Sequence, residues 1–253
     1  VQLTNLASSS LGDIQFAENK YKASIISGGS WEDANTWSPS GSPDASNHVT
    51  ITSPGTVTVN LVDAQCNDLL IQSNSVLQIN PNNSLTVNGT LTNSAGTSGL
   101  IIKSDATGTG SLIHSTSNIQ ATFERYMNNA DWTDWNDGWH FVSSPIIDQA
   151  ISPAFASGNY DFYSWYEPEN LWVNFKNTTV EPTWNTVNGS TDFVLGKGYM
   201  TGFDDGGTKC FTGALNVDNV MQSNLSITNG NTNKSWHLLG NPFASALSWD
   251  ASS

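Results

Sequence analysis

Apolar positions in the first half of the chain come in very short bursts: "VTV" at 57–59, "LLI" at 69–71, "VLQI" at 76–79, "LTV" at 85–87, "LII" at 100–102 and "SLI" at 111–113. Between them stand turn formers such as "NPNNS", "NGT", "NSAGTSG" and "DATGTG". Strands this short cannot each bury a face alone, but stacked coil upon coil they form one continuous core with Asn and Gly at the corners. The pattern therefore predicts a short right-handed parallel β-solenoid, with a β-sandwich of unusually short strands as the alternative. Leu70, Val76 or Leu77, Leu85 or Val87, and Ile101 are the expected interior positions over residues 49–120.

On either side the rhythm changes. Residues 1–27 carry no periodicity beyond a strand signal at "YKASIIS" and read as a lead-in. From Gly28, "GGSWEDANTWSPSGSPDASNHVTI" is punctuated by Gly, Pro, Ser and Asn around Trp31 and Trp37, which suggests a Trp-rich plug over one end of the coils. Near "IQATFERYM" longer aromatic strands begin. "YDFYSWYEPENLWVNFKN" reads as a hairpin turning at Glu167–Asn170, and "DFVLGKGYMTGF" with "TKCFTGALNV" reads as a second strand pair around "DDGG". The expected fold is all-β: a solenoid over residues 28–122 with its cap, then an antiparallel β-sandwich over 123–253, truncated at its C-terminal end.

One internal repeat stands out. "GWHFVSSPI" at 138–146 returns as "SWHLLGNPF" at 235–243, without the aspartates that precede the first copy. A strand that carries Trp and stops at Pro is limited to a sheet edge. Two copies suggest equivalent strands on one core, with Trp139 and Trp236 buried.

Composition narrows the function classes. With 22 acidic against 8 basic residues and a formal net charge of -14, the chain lacks the clustered cations that neutralise a nucleic-acid backbone. Ten Trp are too many for a disordered chain. Cys66 and Cys210 allow at most one disulfide, and two buried thiols are the preferred expectation. No apolar run reaches membrane-spanning length and no leader follows Val1, so membrane insertion is not expected.

The ordered string "GSWEDANTWSPSGSPDASNHVTI", "CNDLLIQSNSVLQINPNNSLTVNGTLTNSAG", "ATFERYM", "GWHFVSSPI", "YSWYEPENLWVNFK", "LGKGYM" and "WHLLGNPFASALSWD" resembles secreted and cell-surface proteins of Bacteroidetes exported by the type IX system. The resemblance covers most of residues 28–253. It implies a non-catalytic solenoid-plus-sandwich region that precedes a C-terminal sorting domain, an extracellular or cell-surface location, and other surface or matrix proteins, or glycans, as partners. No sorting domain follows "NPFASALSWD" in the chain, and enzymes also occur on neighbouring domains of such proteins, so the resemblance names no activity.

Candidate chemistry is sparse. There is no G-x-S-x-G, P-loop or H-E-x-x-H motif, and His48, His114, His140 and His237 are scattered. Glu167, Glu169 and Glu181 could serve a glycosidase only as a pair across a cleft, whereas Glu167 and Glu169 in a turn are expected to be solvated. Calcium is a candidate at Asp131, Asp134 and Asp137 or at Asp204 and Asp205, although neither spacing matches an EF-hand loop. Trp165, Tyr166, Trp172 and Trp184 offer flat apolar faces to a sugar ring, and core or sheet packing is the competing use. The expectation is a non-enzymatic scaffold, adhesion or assembly module that needs no cofactor. A carbohydrate-binding accessory of a polysaccharide-degrading enzyme is the runner-up, and an enzyme with its site in the second half is third.

Overall fold

A computed structural model describes residues 20–132, 137–223, 225–228, 230 and 236–248. The fold is all-β with few helical turns. The first half runs through β1 (Tyr21–Ser24), β2 (Gly29–Ser30), β3 (Trp37–Ser38), β4 (His48–Ile51), β5 (Thr56–Val59), β6 (Ala64–Cys66), β7 (Leu69–Ile71) and β8 (Val76–Ile79). It continues with β9 (Ser84–Val87), β10 (Leu91–Asn93), β11 (Leu100–Ile102), the two-residue strands β12 (Ser104–Asp105) and β13 (Gly108–Thr109), β14 (Ser111–Ile113) and β15 (Gln120–Met127).

From β4 the chain visits three sheets in rotation, and each strand pairs in parallel with the strand one circuit later. Val49 faces Leu69 and Leu69 faces Leu91 in the first sheet. Val57 faces Leu77 and Leu77 faces Leu100 in the second, and Ala64 faces Leu85 and Leu85 faces Leu112 in the third. These in-register apolar residues are buried.

Because side chains alternate across a strand, the inward set is Leu69 and Ile71, Leu77 and Ile79, Leu85 and Val87, and Leu100 and Ile102. Two expected interior residues thus face outward, Leu70, 36% exposed, and the half-buried Ile101, while of the alternatives Val76 and Leu77 it is Leu77 that faces in. A three-residue apolar strand has two residues on one face, and the outer two of "LLI" and "LII" are the pair that fills the core. The corners bear out the role given to Asn: Asp63, Asn74, Asn82 and Asn118 adopt positive φ near 60°, which Asn and Asp tolerate best after Gly.

At each end of the stack one sheet is closed by antiparallel pairing, by β3 in the first sheet and by a later strand on β15 in the second. At one end β1 pairs in parallel with β4 and antiparallel with β3, so the last residues of the expected lead-in belong to the first coil. Trp31 and Trp37 are buried there edge to face at 5.2 Å, and the Trp37 indole donates to the Trp31 carbonyl. Gly28, at φ +71°, leads into this cap, where a Cβ would meet the Thr56 carbonyl oxygen at 1.9 Å.

The second half comprises β16 (His140–Val142), β17 (Tyr160–Tyr166), β18 (Leu171–Asn174), helix α1 (Trp184–Asn188), β19 (Tyr199–Phe203) and β20 (Gly207–Ala214). Four strands form an antiparallel sheet in the order β16-β19-β17-β18. β17 and β18 are the expected hairpin, with Asn170 left-handed at its turn. β19 and β20 do not pair as expected. β19 is central in this sheet, whereas β20 crosses to β15 and pairs with it along eight residues, from Gln120↔Ala214 to Met127↔Gly207. The expected boundary between residues 122 and 123 therefore falls inside a strand that both halves share.

The two copies of the Trp-His-to-Pro repeat are not equivalent strands. The first forms β16, an edge strand as the Pro predicts. The second makes a single bridge, Leu239 to Lys197. Trp139 is half-buried and Trp236 is 38% exposed, so neither fills the core. That core is built instead from Phe155, Phe162, Trp184, Phe193, Tyr199 and Phe211, whose rings pack at centroid distances such as 4.4 Å for Phe155–Phe211 and 5.3 Å for Phe162–Tyr199.

The inward and outward sets separate by mutation. Leu69→Ala is expected to lower unfolding free energy by about 2–5 kcal/mol, and Leu70→Thr by about 0.5 kcal/mol or less. Chemical denaturation of the two variants checks this, and equal losses would contradict the alternation.

Candidate functional site

Alternation also divides the four-stranded sheet into two unlike faces. Phe162, Ser164, Val173, Tyr199, Thr201 and Val142 face the core. The register places Phe141 against Met200, Met200 against Tyr163, and Trp165 against Trp172 on the opposite face. Trp139, two residues before Phe141, shares that face and lies 6.0 Å from Tyr163 and 5.7 Å from Trp132.

The outer face is thus an aromatic strip. Trp236 stacks on Trp165 at 3.9 Å with a 20° interplanar angle, and the Trp165 indole donates to the Trp236 carbonyl at 3.1 Å. Trp172 meets Trp165 at 5.2 Å and lies near-parallel to Phe141 at 6.5 Å and 25°. Phe141 is 62% exposed. Rings held by cross-strand pairing at half-exposure offer apolar faces to a ligand without first having to order themselves.

Of the four aromatics singled out for glycans, Trp165 and Trp172 meet on this strip. Tyr166 points the other way and lines a cavity. Trp184 belongs to the core: it is 4% exposed, packs 5.0 Å from Phe175, and its indole donates to the Ser190 carbonyl. Its place on α1, capped by Thr183 and ended by left-handed Gly189, turns it inward. Phe141 and Tyr163 were not singled out, and Trp236 was expected in the core. The alternation of Asp161, Tyr163 and Trp165 against Phe162 and Ser164 carried the signal for Tyr163, but nothing local placed Trp236 on this face.

The acidic candidates have other partners. Both Asp204 oxygens are engaged, one by the Trp132 indole and one by Asn159 Nδ2 at 2.6 Å, and Asp205 pairs with Lys209 at 3.5 Å. Asp131 and Asp137 lie on the loop between β15 and β16, the Asp131 amide donating to the Asp137 carbonyl at 3.2 Å. Asp134 lies outside the described residues. Among the described residues no group of three or more His, Cys, Asp or Glu is placed to share a metal ion.

Glu167 departs from the solvated turn acid expected of it. It is 2% exposed and accepts from Ser226 Oγ at 2.6 Å, Thr228 N at 2.9 Å and Thr228 Oγ1 at 2.9 Å. Three donors compensate for its loss of water and tie the segment around residues 226–228 to the hairpin turn. Glu169 is exposed, and Glu181 accepts from Thr183 N and Thr186 Oγ1 at the start of α1.

Beside Glu167 opens a cavity of about 710 Å³ whose lining includes Trp165, Tyr166, Asn188, Lys197 and His237. Lys197 donates to the Val187 carbonyl at 2.9 Å and to Asn188 Oδ1 at 3.1 Å, while Tyr199 donates to the same Asn188 oxygen at 2.7 Å. Burial lowers the Lys197 ammonium to about 8 and drives the Tyr199 phenol upward. Both thiols are free. Burial, with the Asp68 charge nearby, pushes Cys66 up to about 12, and Cys210 is half-buried and also raised.

The family model of a domain of unknown function, DUF8693, matches residues 24–252, nearly the whole chain and all of the elements above except the first residues of β1. The chain belongs to this family. No curated protein and no solved structure matches it. The DUF8693 match spans both halves, in keeping with the strand pairing that joins them. Among the described residues no helix is long and apolar enough to cross a membrane.

Two measurements follow from the buried groups. Cys66 should resist alkylation at pH 8 in the native protein and react only on unfolding, as read by mass spectrometry under a denaturant series. Lys197 has a folded value below its ordinary 10.5, so the unfolded chain holds more protons between about 8 and 10.5 and stability from this residue rises with pH across that window. The unfolding free energy of the native protein minus that of Lys197→Met should therefore increase from pH 8 to 10.5. A flat difference would contradict the burial of the amine.

Proposed function

We propose that this chain is a non-enzymatic module of an extracellular bacterial surface protein, a β-solenoid leading into an antiparallel sandwich, which adheres by binding glycans. The observation that carries the reading is the aromatic strip: Trp165, Trp172, Trp236 and Phe141 on the outward face of a sheet whose inward face already supplies the core. Sheet packing alone does not call for this many half-exposed rings on the solvent side, and flat apolar rings suit the apolar faces of sugars. The rotation of the chain through three parallel sheets supports the solenoid, and the resemblance to type IX cargo supports a surface location. The net charge of -14 speaks against nucleic acid as the partner.

A second reading, an assembly scaffold that contacts other surface or matrix proteins, is favoured by a hydrophobic cluster of described residues that runs from Trp31 to Ala244 and draws on both halves. The two readings are separated by affinity electrophoresis of the purified chain through gels cast with soluble polysaccharides. Retardation is expected, and Trp165→Ala or Trp172→Ala should weaken it about tenfold or more, the loss typical of a central aromatic contact. Unchanged mobility of the native protein across neutral and acidic polysaccharides would leave the scaffold reading.

A further inference from the structure

We infer that the cavity at the end of the aromatic strip takes a carboxylate-bearing sugar of an acidic glycan, and that Lys197 is the residue that recognises its charge. The inference rests on the glycan reading and deepens it. Trp165 belongs to both places: its ring stacks with Trp236 on the strip and the residue is also among those that line the cavity, so strip and cavity adjoin. The volume, about 710 Å³, falls in the range of roughly 300–1,000 Å³ found for small-ligand sites.

The charge is decided by what surrounds the amine. Lys197 holds its ammonium with two neutral acceptors, the Val187 carbonyl and Asn188 Oδ1, above the Tyr199 ring at 5.6 Å. Among the described residues its ion pairs include none, while Lys103, Lys176 and Lys209 each have a carboxylate partner. In a chain with 22 acidic residues, a half-buried cation facing a cavity without an acid on it is an unusual placement. Glu167, the acidic side chain of the same wall, is turned to Ser226 and Thr228 and is almost fully covered. His237 Nε2 is directed to the Ser226 carbonyl at 3.0 Å. The Val187 carbonyl and Asn188 Oδ1 take two of the three ammonium hydrogens, which leaves the third for a ligand anion, and the side-chain oxygen of Gln222 in the wall suits a hydroxyl beside it.

The test uses the full chain and a matched pair of probes, a galacturonate trimer and its carboxyl-reduced neutral counterpart, titrated by calorimetry. Alongside it, the Lys197 side-chain resonance is followed by NMR during addition of free galacturonate or galactose. The acidic trimer should bind about tenfold or more tighter than the neutral one, and in Lys197→Met the two affinities should converge on the neutral value. Galacturonate, and not galactose, should move the Lys197 resonance. If both trimers bind alike and the resonance stays still, the cavity inference is overturned and the strip reading stands. Should neither trimer bind while galacturonate still moves the resonance, the strip reading fails and the cavity inference stands. No binding and no movement would overturn both, and an acidic preference that survives Lys197→Met would overturn the role of Lys197.

Discussion

The eight-residue antiparallel ladder between β15 and β20 is the interaction on which the rest of the architecture depends. A stack of parallel coils ends in an open sheet edge with unsatisfied backbone groups, an invitation to pair with another chain. Here β15, the last parallel strand of the second sheet, is lengthened beyond the two to four residues of its predecessors, and β20 covers it completely. The ladder also fixes where the second half sits. Phe211, opposite Phe123 on the ladder, packs on Phe155 and Phe193, so the pairing that closes the coils seeds the aromatic core beyond them. Buried Glu124, in the same strand, accepts from the Ser104 amide and pairs with Lys103 at 2.6 Å, which pins the β12–β13 excursion to the ladder.

Once β20 has left for β15, β19 is free to lie in the middle of a different sheet, and that sheet has only one face to give to the core. Tyr199, Thr201 and Phe203 go inward, and the alternate positions must go outward. Aromatic residues in β16, β17 and β18 therefore fall into two populations by parity alone. Phe162 is a core residue and Tyr163 its neighbour is a surface one. The strip exists because the outward set was also made aromatic, with the irregular segment after Ser235 laying Trp236 across it.

Polar burial does comparable positioning work at the end of the sheet. Glu167 and Asn188 hold the turn, the helix and the returning C-terminal segment around a space instead of letting them collapse on it. The carboxylate is satisfied by Ser226 and Thr228, and the amide by Lys197, Tyr199 and the carbonyls of Ser190 and Asp192. Groups so fully bonded keep a cavity wall rigid, since moving any one of them would strand a buried partner.

The alternation of short apolar bursts with Asn- and Gly-rich corners was sufficient in the sequence to announce an all-β chain of short strands and the β17–β18 hairpin, because each depends on contacts close along the chain. Which residue of "LLI" or "LII" points inward depended on the register with the next coil. The destination of β20, the burial of Glu167 and Trp184, and the exposure of Trp236 depended on partners tens of residues away, as did the meeting of Trp165 with Trp236 and the enclosure of Lys197. A Trp reads the same in sequence whether it fills a core or faces water. Only the tertiary pairing assigns the face, because parity is meaningless until a strand has been given a sheet to belong to.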